Sequence, residues 1–153
     1  MKARLNPYKA EGALMAKVSQ LEAEIVASGL DTSLVHLIKT RASQVNGCAY
    51  CIDLHTMEAM REGETAQRLF LLNAWRDSPL YSDRERAALE WTEAVTQVSV
   101  THVPDAAYEV VRAQFSESDL VKLTLVVAQI NVWNRIGISF RSVHPVRAVP
   151  VAA

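Results

Sequence analysis

The chain has 153 residues, half of them hydrophobic and 22% charged, enough for one domain with a real core. Sixteen Lys and Arg against seventeen Asp and Glu leave a net charge of −1, and the basic residues are scattered. No global field or basic stripe is present to draw nucleic acid or an anionic membrane. The amino end has no apolar run of the secretory kind, and the most apolar stretch, Leu120 to Ile130, is interrupted by Lys122, Thr124 and Gln129 and is too short to span a bilayer. These features set the expectation of a soluble protein of the cytoplasm.

In chain order the pattern predicts seven helices and no strand. The first runs from about Pro7 to Ser28, with proline in its first turn and Gly29 as its stop. The second spans about Thr32 to Val45 and ends at Asn46-Gly47. The third starts at Cys48 and ends near Glu62, before Gly63. A fourth covers Glu64 to Asp77, stopping ahead of Ser78-Pro79. The fifth opens at Ser82, with Glu85 at capping-box spacing, and extends to about Val98. A sixth covers Asp105 to Gln114, and the seventh runs from Ser116 or Glu117 to about Val143. Val95 to Val103 is rich in β-branched residues and is ambiguous. Short connections throughout imply an all-α compact bundle of six to seven helices, as a single domain over 1–153.

The only two cysteines, Cys48 and Cys51, open the third helix, and His55 follows. A bridge between residues three apart closes a very small loop and removes little unfolded-state entropy, so the spacing suits reversible chemistry better than stapling. At about 100° per residue, Cys48, Cys51 and His55 fall within roughly 60° of one helix face. His55 is also i+4 from Cys51, where helical side chains meet. A helix start favours a thiolate, and the imidazole can take its proton. A bland alternative is a pair of small buried hydrophobes beside an ordinary histidine. A structural zinc site needs four ligands, and this row supplies three. The βαβ setting of a thioredoxin is missing.

The run Arg41-Ala42-Ser43-Gln44-Val45-Asn46-Gly47-Cys48-Ala49-Tyr50-Cys51-Ile52-Asp53-Leu54-His55 resembles the core of the carboxymuconolactone decarboxylase superfamily, in its alkylhydroperoxidase D-like (AhpD-like) branch. The likeness continues through Ser82 to Trp91 and Ile130 to Arg135, and covers about residues 30–141. It implies an all-helical fold assembled as a homo-oligomer, a trimer or hexamer. It implies hydroperoxide reduction without haem, flavin or metal. By that likeness Cys51 is the attacking thiolate, passing through a sulfenic acid, and Cys48 resolves it. His55 relays protons, and a dithiol reductant, lipoyl-linked in the best-known members, restores the thiols. One departure is clear: the family core carries a glutamate twelve positions before the first cysteine, and this chain has His36 there. An imidazole can also pass protons, though without a permanent negative charge. Tyr50 likewise stands where the best-known peroxidase of the branch has histidine.

On a helical wheel Leu34, Ile38, Ala42 and Val45 form the apolar stripe of the second helix, with His36, Thr40, Ser43 and Gly47 opposite. That polar face either packs against the cysteine helix or meets solvent, and taken without the resemblance His36 reads as a surface residue. Asp53 and Glu58 lie outside the Cys/His row and read as solvated or interface charges. Glu90 and Glu93 read as the polar face of the fifth helix, and His102 and His144 as loop residues. Asn131, Asn134 and Arg135 interrupt an apolar helix, which calls for a hydrogen-bond network. Trp75, Trp91 and Trp133 read as core or interface aromatics. Three functions follow. The first is a thiol peroxidase; the second is a non-enzymatic redox sensor or partner-binding oligomer using the same dithiol. The third, decarboxylation of a muconolactone-type acid, rests on the superfamily name alone, with no arginine cluster for a dicarboxylate.

Overall fold

A computed structural model describes residues 1–147, and the last six residues of the expected domain lie outside it. Among the described residues the chain forms nine α-helices, one 3-10 segment and no strand. They are α1 (Pro7–Ala10), α2 (Gly12–Val26), α3 (Thr32–Asn46), α4 (Ala49–Arg61) and α5 (Ala66–Leu71), then a 3-10 segment (Leu72–Asp77). The remainder are α6 (Asp83–Thr96), α7 (Val98–Thr101), α8 (Asp105–Arg112) and α9 (Glu117–Phe140). The fold class agrees with the sequence expectation; several boundaries do not.

The first expected helix breaks at Glu11, whose backbone leaves the helical region at φ −142°, ψ 60°. The expected fourth helix is α5 followed by the tighter 3-10 segment, with Ala74 out of helical geometry. The ambiguous Val95–Val103 region resolves as the end of α6 and the single turn α7, closed by His102 and Val103 at positive φ. The last helix stops at Phe140 because Arg141 turns left-handed at φ 54°. Starts are well marked. Asp31, Ser82 and Ser116 cap α3, α6 and α9 through side-chain oxygens, and Ser82 with Glu85 closes a full capping box.

Helix α3 is the centre of the bundle, packed on α4, α6 and α9. Its stripe side enters the main core with Ile38, Trp91, Leu123 and Val127, while Leu37 joins Leu72, Trp75 and Leu89 in a second cluster. Its polar side is buried too: Thr40 and Ser43 are fully covered, and His36 and Lys39 nearly so. Where α3 meets α9, Asn46 Nδ2 donates to Asn131 Oδ1 at 3.0 Å and to Asn134 Oδ1 at 2.8 Å. Asn134 Nδ2 donates to Ser43 Oγ at 3.0 Å, and Asn131 Nδ2 reaches Thr96 Oγ1 on α6 at 3.1 Å. These bonds fix the rotation of α3 against α9, which positions the start of α4. No helix among the described residues is long and apolar enough to cross a membrane.

Candidate functional site

The end of α3 delivers the cysteines. Gly47 turns left-handed at φ 70°, a conformation that glycine adopts freely. The Cys48 N–H then donates to Ser43 O at 3.0 Å and the Gly47 N–H to Gln44 O at 3.2 Å, a Schellman closure. The chain is thus reversed within two residues, and Cys48 becomes the N-cap of α4, extended at φ −86°, ψ 91°. Cys48 is therefore not in the first turn, where the sequence pattern put it, but one step outside. Its Sγ accepts the Cys51 N–H at 3.4 Å. The two cysteines are joined as a disulfide across a Cα separation of 5.3 Å.

Both sulfurs are buried among Ala42, Ile130 and Trp133. Gly137 of α9 passes directly behind them. A Cβ built there would lie 3.2 Å from Cys48 Sγ and 3.5 Å from Cys51 Sγ. Cys51, and not Cys48, lines a cavity of about 490 Å³ together with His55 and Glu58. Its apolar wall includes Leu5, Tyr8, Tyr50, Leu54, Trp133 and Val143. The segment before α1 is held over this cavity by Arg4, whose N–H donates to Phe140 O at 2.9 Å and whose guanidinium donates to Ser139 O at 3.1 Å.

His55 is buried, and its Nδ1 lies 2.9 Å from Glu58 Oε2. A carboxylate only accepts, so this bond places the proton on Nδ1 and leaves Nε2 as the free nitrogen. The hydrogen bond from His55, with the nearby ammonium of Lys39, outweighs burial and holds the Glu58 carboxyl below the usual glutamate range. Glu58 was read from sequence as a solvated or interface charge; the structure makes it the partner of the site histidine. The missed signal was its i+3 spacing from His55. His36 is 8% exposed, so its reading as a surface residue does not hold. It comes with His55 and Glu58 into a cluster whose donor atoms lie within 4.8 Å of one another. Lys39, paired with Glu22, also lines the cavity, and Trp133 Nε1 donates to Glu22 at 3.1 Å.

A second cavity of about 460 Å³ is lined by His36 with Glu62, Glu64, Arg68 and Glu85 and by no sulfur; His36 does not line the cavity that Cys51 faces. Asp53 lies elsewhere on α4, paired with Arg147. Glu93 accepts from Arg41, Arg76 and the Trp75 indole, and Arg76 also pairs with Glu90. Glu90 and Glu93 thereby tie α6 to α3 and to the 3-10 segment.

Residues 12–94 match the sequence model of the carboxymuconolactone decarboxylase family. The uncharacterized protein YdfG of Bacillus subtilis is 41% identical over 139 residues, 91% of this chain and 95% of that protein. The crystal structure of a protein of unknown function from Agrobacterium tumefaciens, whose name suggests an antioxidant defence role as AhpD, superposes with a TM-score of 0.94. It shares 45% identity, over 95% of this chain and all of that one. The debrominase Bmp8 shares the fold at a TM-score of 0.78 and 21% identity, covering 90% of this chain and 74% of its own.

Proposed function

This chain belongs to the carboxymuconolactone decarboxylase family, in its AhpD-like branch, and from that premise we propose that it is a thiol peroxidase reducing hydroperoxides through Cys51 and Cys48. The observation that carries the reading is the asymmetry of the pair: Cys51 faces the cavity beside His55, whereas Cys48 is enclosed behind it.

In the reduced protein His55 Nε2 takes the Cys51 proton, Nδ1 remaining bonded to Glu58. The thiolate attacks the distal oxygen of ROOH. The O–O bond breaks, Cys51 becomes a sulfenic acid, and His55 returns the proton to the alkoxide to release ROH. The Cys48 thiol then attacks the sulfenic sulfur, forming the disulfide and releasing water. An external dithiol, possessing the two electrons required, reduces the disulfide and is itself oxidised. A lipoyl-linked dithiol and a trimeric or hexameric assembly complete the reading. The apolar wall of Leu5, Leu54 and Trp133 suits an organic R group.

The test is peroxide-dependent consumption of a dithiol reductant. Cys51→Ser abolishes it, and Cys48→Ser leaves a sulfenic acid on Cys51 that a dimedone probe captures. Undiminished turnover in Cys51→Ser ends the proposal.

A further inference from the structure

His36 presents a problem that the dithiol chemistry does not solve. It is more than nine-tenths buried, and neither of its ring nitrogens has a hydrogen-bond partner. Glu62 Oε2 comes within 3.1 Å of Nε2, but off the direction of a hydrogen bond. A buried polar group without a partner is uncommon and calls for a cause, an ion among them. Three donor sites converge here: one nitrogen of His36, one of His55 and a carboxylate oxygen of Glu58, all within 4.8 Å of one another.

We propose that His36, His55 and Glu58 bind a divalent transition-metal ion of the zinc type, with Glu62 or water as the fourth ligand. Two imidazoles and a carboxylate are a donor set that zinc takes readily and that calcium and magnesium do not favour. The spacing is suitable. Bonds of about 2.1 Å in a tetrahedron set ligand atoms about 3.4 Å apart, so a cluster spanning 4.8 Å closes by turning side chains alone. Two elements share the work: His55 and Glu58 stand at i and i+3 on α4 with Glu62 at its C-cap, and His36 comes from α3 packed against it. The local charge suits a dication, since the carboxylates of Glu22, Glu58 and Glu62 stand against the single ammonium of Lys39. Glu58 and Glu62 are partly exposed, at 37% and 52% of their side chains, which gives the ion a way in.

The consequence for the dithiol rests on the peroxidase reading above: an ion held by His55 takes away the group that accepts the Cys51 proton, so zinc inhibits. The site itself does not depend on that reading, and the experiment separates them. Untagged full-length Cys48→Ser/Cys51→Ser protein, and the oxidised wild type as a second form without free thiols, are titrated calorimetrically with zinc chloride. Cobalt(II) absorption reports the ligand geometry. The expected result is one ion per chain in both forms. Both His36→Ala and Glu58→Gln, placed in the oxidised protein and checked for retained helicity by circular dichroism, weaken binding more than about tenfold, the loss caused even by removing a residue that only orients a ligand. Binding that needs the free thiols, or that survives intact in His36→Ala, overturns the site. Absence of peroxide turnover would leave the titration unchanged.

Discussion

Gly137→Ala tests how the sulfurs are accommodated. The added Cβ would stand 3.2 Å from Cys48 Sγ and 3.5 Å from Cys51 Sγ, the first of these inside ordinary contact distance. Overfilling a packed site costs about 1–3 kcal/mol. Alanine in the last turn of α9 also gains up to about 1 kcal/mol of helix propensity over glycine. That gain is common to both oxidation states, so it cancels when they are compared. The strain does not cancel. In the disulfide both sulfurs are tied into one ring, with Ala42 and Ile130 beside them. After reduction Cys51 is free to rotate into the cavity it lines. The oxidised form should therefore lose roughly 1–2 kcal/mol more than the reduced form, which raises the reduction potential by about 20–40 mV. Urea unfolding of both forms, with redox equilibration against glutathione, measures the two quantities independently. Equal stability losses in the two states, or a potential that falls, would refute the account.

The remaining expectations concern the frame and the rim of the site. Burial pushes the Glu93 carboxyl up, but hydrogen bonds from Trp75, Arg76 and Arg41 outweigh it and hold the group below its usual range. A carboxyl with a depressed folded value stabilises above the ordinary glutamate value of about 4.3, and that stability is lost as pH falls through the lower folded value. Urea midpoints should accordingly drop below about pH 4, and Glu93→Gln should flatten that drop while costing about 2–3 kcal/mol at neutral pH. Asn134→Ala removes the donor to Ser43 and one acceptor of Asn46; unfolding should show a loss of about 2–4 kcal/mol, and a loss below about 0.5 kcal/mol would mean that the network is replaced by water. Arg4→Ala deletes the guanidinium bond to Ser139 O, worth about 1 kcal/mol, so the reduced Cys51 should react about fivefold faster with a bulky maleimide. An unchanged rate would show that the amino-terminal segment does not limit access.

The helices and their starts were legible because they are local properties. Ser82 with Glu85 and the Asn46-Gly47 stop each act within five residues. The errors lay where local propensity is overridden. Nothing in Glu64 to Asp77 marks a change of helical pitch, but Trp75 must reach Glu93 and Leu72 must enter the second core cluster. Those two demands come from α6 and α3, and the segment meets them by tightening to 3-10 geometry with a break at Ala74. The unexpected stop at Arg141 has a similar origin: the carbonyls of Ser139 and Phe140 are taken by Arg4, more than a hundred positions away.

For the site, the sequence displayed the row Cys48, Cys51 and His55, because one helix carries all three. It could not display the depth of α3. A helical wheel separates apolar from polar faces on the premise that one of them meets water. Helix α3 breaks that premise, being enclosed on both faces, so the polar side bearing His36, Thr40 and Ser43 is as covered as the stripe. The same enclosure explains Glu58. Viewed along α4 alone it is one acid among several, and only the arrival of α3 on that face sets Lys39 and His36 near it and gives its bond to His55 consequence. Gly137 lay further still from view, since its importance is the absence of atoms behind two sulfurs. The parts of this site that a single helix supplies are written in the sequence as spacing. The parts that arise between helices are written only as a polar residue on a face that turns out to be dry.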